Sequence, residues 1–431
     1  MRTRPGEYQF SATATGEYRV GVYFADTLEN MYHIRQWYGP LEKLAEHVPV
    51  ALFLREPTTA VQIRRETRLP IVYGRATADW EIFFSQQTDV DAVLYPNQNM
   101  KNFQTLTFGG PAHVFISHGE SEKAYMWSNQ NKAYDYTFSA GQAARKRLAA
   151  NLIGYDAAAR TYLIGRPQID VAYTAPVTVN PAYPTVLYAP TWEGDRPSWA
   201  YGSVASHGLD LVRSLVASGR YNVIARPHPR SGISQPEYAA AVAELRGLLE
   251  GGTAAEAPLA GSAPAPSDGA AAPGAGTSTP TYYFDESPHW GWQWAAADLC
   301  VSDISAAAYD WMATGKPMLI TTPVSPTAVV ADAPALAHSP ALKAGPDCRS
   351  FVDIADSMLN SGPPAGYDEL VEYYFGDTTP GASMQRFIDA TLDVISTRSR
   401  KRTQLVERPA AQPAAASIDS PSPAPEGKKA M

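Results

Sequence analysis

At 431 residues the chain is too long for one ordinary core, and domain-size statistics point to two domains plus tails. Hydrophobic residues are 45% and aromatic residues 11%, enough to bury real cores, while a formal net charge of −8 argues against nucleic acid as the main partner. The segment from Arg398 onward carries about +4, which leaves about −12 on the rest, so any phosphate site is a local basic concentration on an acidic body.

In chain order, Met1–Gly16 is polar and lacks the apolar stretch of a signal peptide; residues 1–17 read as a flexible N-terminus. Short β-rich runs then alternate with longer amphipathic ones, the pattern of parallel α/β domains. Strands are expected at Arg19–Ala25, Val48–Leu54, Ile71–Tyr73, Ala92–Leu94, His113–Ser117, Tyr134–Phe138 and Tyr162–Ile164, with a helix over Ile34–Glu46. Ala172–Pro184 is rich in Thr, Pro and Ala without periodicity, and the domain joint falls there.

The pattern restarts with strands at Thr185–Ala189, Tyr221–Ala225, Tyr282–Phe284, Leu299–Ser302 and Pro317–Ile320. Helices are expected at Gly208–Ser218, Tyr238–Leu249, Ala306–Thr314 and Ser383–Ile395. Residues 251–280 are almost wholly Ala, Pro, Gly, Ser and Thr and read as a disordered insertion. This predicts a first Rossmann-like domain at 18–178, a second at 179–396 and a disordered basic tail at 397–431. The two cysteines, Cys300 and Cys348, have no metal-ligand spacing and suggest neither a disulfide framework nor a metal site. No uninterrupted apolar run approaches the ~20 residues of a membrane span, so the expected location is cytoplasmic.

Two open α/β domains leave a cleft at the C-terminal edges of their sheets, and the polar motifs of this chain fall just after strands. Ser117-His118-Gly119-Glu120-Ser121 follows the fifth strand; an imidazole there can take a proton from a hydroxyl near neutral pH. Taken alone, a loop-capping histidine is the commoner explanation. Pro190 and Thr191 follow Thr185–Ala189, with Trp192 as a simple packing residue in the plain reading. Arg226-Pro227-His228-Pro229-Arg230 sets two cations around an imidazole on a stiff loop, a phosphate-compatible group on an acidic body. Ser305 suits an N-cap, and Ala306 opens a helix whose free N–H groups favour anions; Asp310, about a turn further, is within reach of a ribose hydroxyl. Gly376–Ser383 again places glycines and hydroxyls before a helix; a phosphate site and a plain capped loop are equal readings.

The ordered series SHGES, YAPTWEG, RPHP, SDISAAAYDW with GKP, and GDTTPGAS resembles the CDP-glycerol glycerophosphotransferase family, which primes and polymerises glycerol-phosphate teichoic acids of the cell wall. The resemblance spans roughly His113 to Phe387. It implies a GT-B-like fold, a transferase releasing CMP from CDP-glycerol or a related polyol donor, a lipid-linked or polyol-phosphate acceptor, and no obligatory metal or other cofactor. By position it makes His118 the general base and gives His228 and Arg226, with Pro227, the pyrophosphate. Gly119, Glu120, Ser121, Pro190, Thr191, Ser305, Ala306 and Asp310 stand as donor-side positions. Three positions depart from the family: Ala306 replaces a second Ser, Gln168 stands where Arg is usual, with Arg166 as a candidate compensation, and Glu120 adds an acid beside the base. A UDP-sugar-dependent GT-B glycosyltransferase or epimerase, and a non-catalytic nucleotide-binding relative, remain alternatives. A lipid-linked acceptor implies weak contact with the inner membrane face, for which the basic stretch Arg398–Arg402 is the candidate.

Overall fold

The computed structural model describes residues 18–251, 279–328 and 339–406. Two wholly parallel sheets organise them. The first contains β1 (Val20–Phe24), β2 (Val50–Leu54), β3 (Ile71–Tyr73), β4 (Ala92–Tyr95), β5 (Ala112–Phe115), β6 (Tyr136–Ser139) and β7 (Thr161–Leu163), in the order β3-β2-β1-β4-β5-β6-β7. The second contains β8 (Thr185–Ala189), β9 (Asn222–Ala225), β10 (Tyr282–Phe284), β11 (Leu299–Ser302), β12 (Met318–Thr321) and β13 (Ala341–Leu342), in the order β10-β9-β8-β11-β12-β13. Both orders run outward from the first strand and then reverse, the doubly wound pattern that leaves a crevice at the reversal. The longer helices are α1 (Tyr38–Leu44), α2 (Pro57–Glu66), α3 (Thr77–Gln86), α4 (Gln142–Asn151), α5 (Leu209–Ser218), α6 (Pro236–Glu250), α7 (Ala306–Met312), α8 (Phe351–Ser361), α9 (Tyr367–Phe375) and α10 (Ala382–Val406).

The strands read as continuous apolar runs because both faces of each sheet are covered. Along β1 and β2, Val20, Val22, Phe24, Val50, Leu52 and Leu54 enter one core, while Tyr23, Ala51 and Phe53 enter the other. In the second sheet Val186, Tyr188, Val223 and Val301 face one side, and Leu187, Ile224 and Cys300 the opposite side. Gly21 is a packing requirement: a β-carbon there would sit 2.0 Å from the Phe53 ring. Burial on this scale stabilises by roughly 25 cal/mol per Å² of apolar surface, which is why the strand positions were readable from hydrophobicity.

The expected strands all appear within about two residues of their predicted limits. The helix expected over Ile34–Glu46 is broken into Tyr32–Arg35 and α1. Pro40 accounts for the break, since it has no N–H to donate and its ring would clash with the carbonyl one turn back. No helix or strand lies between Val171 and Pro184. The predicted flexible N-terminus and nearly all of the predicted insertion lie outside the described residues.

Dividing the chain at position 396 misplaces its last helix. α10 runs through Val406, so residues 397–406 are helical rather than part of a disordered tail; the rest of that tail lies outside the described residues. Met384, Phe387, Ile388, Val394 and Ile395 bury in the core of the first sheet, with Phe387 against Trp37. The helix therefore returns from the second sheet and closes the first. Its basic stretch is partly spent on this return: Arg398 donates to the carbonyls of Gly109 and Gly110, and Arg402 pairs with Asp91 at 3.0 Å. The entry to α10 is no anion site either. Asp170 accepts from the amides of Gly381 and Met384, both at 2.8 Å, which occupies the donors that a phosphate would need. Cys300 and Cys348 are separate buried thiols. Among the described residues no helix is long and apolar enough to cross a membrane.

Candidate functional site

The C-terminal ends of β5, β8, β9 and β11 converge on a cleft of about 460 Å³. His118 enters from the first sheet; Pro190, Thr191, Arg226, Pro227, His228, Ser305, Ala306 and Asp310 enter from the second. The two sides touch at the base, where a β-carbon on Gly119 would come within 3.1 Å of the Ala306 Cβ. That contact leaves little room for a larger residue at either position, in a chain whose sequence has Ala306 where a second serine was expected.

His118 is aimed by local strain. Ser117, just before it, has φ of 54°, the one non-glycine residue in the left-handed region among those described. The Trp37 indole donates to its carbonyl at 2.6 Å, and its own hydroxyl donates to the Gly119 carbonyl at 3.2 Å. These bonds hold a turn that the backbone alone disfavours. His118 Nδ1 is enclosed and has no hydrogen-bond partner among the described residues. Burial, with the Arg166 charge nearby, brings its pKa down to about 3, so the ring is neutral at pH 7 and keeps a free lone pair.

His228 is set by its loop. Its amide donates to the Pro190 carbonyl at 3.1 Å, and its Nδ1 accepts from the Arg230 amide at 3.1 Å. An imidazole accepting at Nδ1 carries its proton on Nε2 when neutral. Burial and the cations Lys123 and Arg230 bring its pKa down to about 3. Buried acids fix the surrounding loops. Glu193 accepts from the amides of Gly232 and Ser234 at 3.0 and 2.9 Å, tying down the end of the Arg226–Arg230 loop. Asp303 accepts from the Thr191 and Ser203 amides at 2.7 and 3.1 Å and from the Thr321 hydroxyl at 2.5 Å. Its burial raises its pKa to about 6. The Thr191 N–H is therefore not free for a ligand, whereas its hydroxyl makes no hydrogen bond among the described residues.

Several expected roles do not match the contacts. The Arg226 guanidinium is engaged by Asp285 at 2.6 Å and by the Ser287 carbonyl at 2.9 Å, and lies 5.5 Å from the Trp290 ring. Asp310 is not free for a ribose: Arg166 pairs with one oxygen at 2.7 Å and donates to the other at 3.1 Å, where the Trp290 indole also donates at 2.9 Å. Arg166 also donates to the His118 carbonyl at 3.2 Å, so it clasps the two sides of the cleft together. Glu120 turns away from the cleft into an ion pair with Arg147, beside an inner cavity of about 40 Å³. Burial pushes it up to about 7 despite that partner. Ser121 is buried and does not line the cleft. Gln168 lines the same inner cavity, fully buried with neither amide atom partnered, so it is not a donor-side group.

Residues that the sequence reading missed complete the lining. Lys123 reaches the cleft, makes no ion pair among the described residues, and is held below the usual lysine range by burial. Tyr32 and His33 come from the short helix Tyr32–Arg35 that follows β1; the Tyr32 ring is 5.3 Å from His228, and His33 lies 3.9 Å from His118, centroid to centroid. Tyr125, Trp127, Trp192, Trp199 and Trp290 supply aromatic faces. Trp192 lies in the motif after β8, where the sequence alone marks it as a packing residue, and Lys123 stands five positions past His118; the others follow from no strand-end motif. Among the described residues no group of three or more His, Cys, Asp or Glu is placed to hold a metal ion.

No family model matches the chain, and no curated protein matches it significantly. Solved structures do. A structure of the wall teichoic acid polymerase TagF soaked with CDPG for 15 minutes has a TM-score of 0.55 at 11% identity, covering 88% of this chain and 89% of that one. Another TagF structure has a TM-score of 0.50 at 11% identity, covering 90% of each chain. A UDP-N-acetylglucosamine 2-epimerase has a TM-score of 0.50 at 10% identity, covering 92% of this chain and 99% of that one. The fold is thus the two-domain α/β arrangement of the GT-B type.

Proposed function

We propose that this protein transfers a polyol phosphate, glycerol phosphate first among them, from a CDP-activated donor to a hydroxyl acceptor and releases CMP. One observation carries the reading: His118 from one sheet and the Pro190-Thr191, Arg226–Arg230 and Ser305-Ala306 loops from the other line a single cleft. Those segments carry the resemblance to glycerophosphotransferases, and the fold is shared with a teichoic acid polymerase crystal soaked with CDPG.

In this reading the acceptor hydroxyl attacks the β-phosphorus and its proton passes to His118. The new oxygen–phosphorus bond forms as the bond to the bridging oxygen breaks, and the electron pair leaves on CMP. Positioning and charge stabilisation dominate such a transfer. The His228 Nε2–H and the Thr191 hydroxyl are the polar groups left open toward the donor, and Lys123 and Arg230 bring positive charge. Arg226 and Asp310 shape the site through their internal partners instead of holding pyrophosphate and ribose. The chemistry assigned here uses no metal, so activity persists in EDTA; loss restored by Mg²⁺ contradicts that part.

The deciding experiment incubates the protein with CDP-glycerol, CDP-ribitol and UDP- and GDP-sugars in the presence of a glycerol-phosphate or lipid-linked acceptor. CMP release with mass-identified product is the expected result. Release of UDP or GDP, with no CMP from either CDP-polyol, overturns the reading in favour of a sugar-nucleotide enzyme. Donor binding without turnover indicates a non-catalytic relative.

A further inference from the structure

The cleft holds a third histidine that the reaction above does not use. His33 sits on the short helix Tyr32–Arg35 that follows β1, and its ring lies against that of His118 at 3.9 Å with a 33° tilt. Its Nδ1 is 3.3 Å from the Asn97 side-chain nitrogen, which also donates to an Asp26 carboxylate oxygen. These contacts fix the tautomer. An amide nitrogen only donates, and the Asp26 contact orients that nitrogen inward, so His33 Nδ1 accepts. The neutral ring then carries its proton on Nε2, and no hydrogen-bond partner for that atom exists among the described residues.

Three further facts bear on what this N–H does. Asp26 follows β1 and Asn97 follows β4, the neighbouring strands at which the order of the first sheet reverses and where ligands of such sheets bind. His33 itself lines the cleft, so a group within reach of His118 passes beside it. Burial, together with His118, His228 and Arg230, keeps its pKa well below the ordinary histidine value, so the ring is a neutral donor at pH 7. His228 is held in the same tautomer by the Arg230 amide from the opposite sheet. Two neutral N–H donors, one from each sheet, thus line the cleft with one imidazole that has an unpartnered nitrogen.

We propose that His33 is a further catalytic residue of this cleft, donating its Nε2–H to a non-bridging oxygen of the phosphoryl group in transfer, while Asn97 and Asp26 hold its tautomer. The proposal rests on the reading that the cleft transfers a polyol phosphate. A fixed donor aimed where charge develops strengthens toward the transition state and acts mainly on turnover.

Two substitutions separate donation from packing against His118. His33→Phe keeps a ring face and removes the donor; His33→Gln keeps an N–H and removes the ring. With CDP-glycerol as donor, His33→Phe is expected to lower kcat by ~10²–10³-fold, the usual effect of deleting one such donor. His33→Gln is expected to recover at least about tenfold of that loss, with KM for the donor nearly unchanged in both. CMP affinity by calorimetry and the melting temperature verify that each variant is folded. Wild-type turnover in His33→Phe, or His33→Gln no faster than His33→Phe, overturns the proposal while leaving the reaction intact. A wild-type protein that releases no CMP from any CDP-polyol overturns the reaction, and the proposal with it.

Discussion

The two walls of the cleft are built on opposite plans. On the second-sheet wall the charged side chains are largely engaged: Arg226 with Asp285, Asp310 with Arg166 and Trp290, Asp303 with two amides and a hydroxyl, and Glu193 with the loop that carries His228. On the first-sheet wall the reactive groups are open: His118 has an unpartnered nitrogen, Lys123 has no ion pair among the described residues, and His33 presents a free Nε2–H. One wall is mostly a rigid mould that holds out the His228 Nε2–H and the Thr191 hydroxyl, the other a set of available groups. Preorganised polar sites need both, since fixed loops avoid reorganisation while free groups act on the substrate.

The largest expected effect lies on the open wall. His118→Ala is expected to lower turnover by ~10²–10⁴-fold while CMP and CDP-glycerol still bind, as removal of a general base does. His228→Ala, on the mould, is expected to weaken donor binding as well. Steady-state kinetics with donor affinities by calorimetry test this; equal loss of affinity in both variants would erase the distinction between the walls.

The mould itself is tested at Asp303. Asp303→Ala leaves the Thr191 and Ser203 amides and the Thr321 hydroxyl without their acceptor. A buried donor left unpaired costs ~1–3 kcal/mol, so the three together are expected to remove about 3 kcal/mol or more. Urea unfolding measures the loss. A change below about 1 kcal/mol means that water replaces the carboxylate and the loops are less fixed than the bonds suggest.

The fold was readable because it rests on what a sequence carries openly. Continuous apolar runs such as TVLYA and YNVIA bury on both sheet faces, and turn residues bracket them. The motifs after those strands were readable for the same reason, and most of them do meet in the cleft. What was not readable is which polar groups spend themselves on one another. Nothing local says that Asp310 meets Arg166, 144 positions away, or that Arg226 meets Asp285 across 59. His33 and Tyr32 were hidden for a related reason. They sit on the short helix Tyr32–Arg35, at and before the start of the stretch that hydrophobic periodicity marks as helical, and no polar strand-end motif points to them. The left-handed Ser117 had no signal, because glycine is the residue expected there.

A smaller effect is expected behind the open wall. Glu120 is buried against Arg147, and its pKa rises to about 7 with burial as the main cause. A carboxyl whose folded pKa exceeds its unfolded value lets the folded state bind the extra proton. Its stabilising contribution is then complete below about pH 4.5 and is lost as pH rises through about 7. Glu120→Gln, which cannot ionise, is expected to remove this slope. The stability of wild type relative to the variant should fall between these pH values by up to ~1.4 kcal/mol per pH unit. Denaturant unfolding across that range reads it. A flat difference means that Arg147 compensates the carboxylate fully and the burial penalty is absent.

The smallest effect concerns the far side of the first sheet. Arg398 and Arg402 are committed to Gly109, Gly110 and Asp91, but Arg400 and Lys401 stand exposed on the same helical turn. We propose that these two provide the weak contact with an anionic membrane surface that a lipid-linked acceptor requires. Each basic side chain near such a surface contributes ~1 kcal/mol at most, and salt screens it. Replacing both by serine is therefore expected to weaken binding to phosphatidylserine vesicles about tenfold at low salt and not at all at high salt. Turnover of a soluble acceptor analogue and the melting temperature should be unchanged, because neither side chain holds the fold together. Truncation after Thr397 is the poorer test. It also deletes the Arg398 and Arg402 bonds that fasten α10 to the first sheet, so a drop in vesicle binding after truncation would mix lost charge with a loosened domain. Unchanged vesicle binding in the double variant would mean that the membrane contact lies elsewhere on the protein.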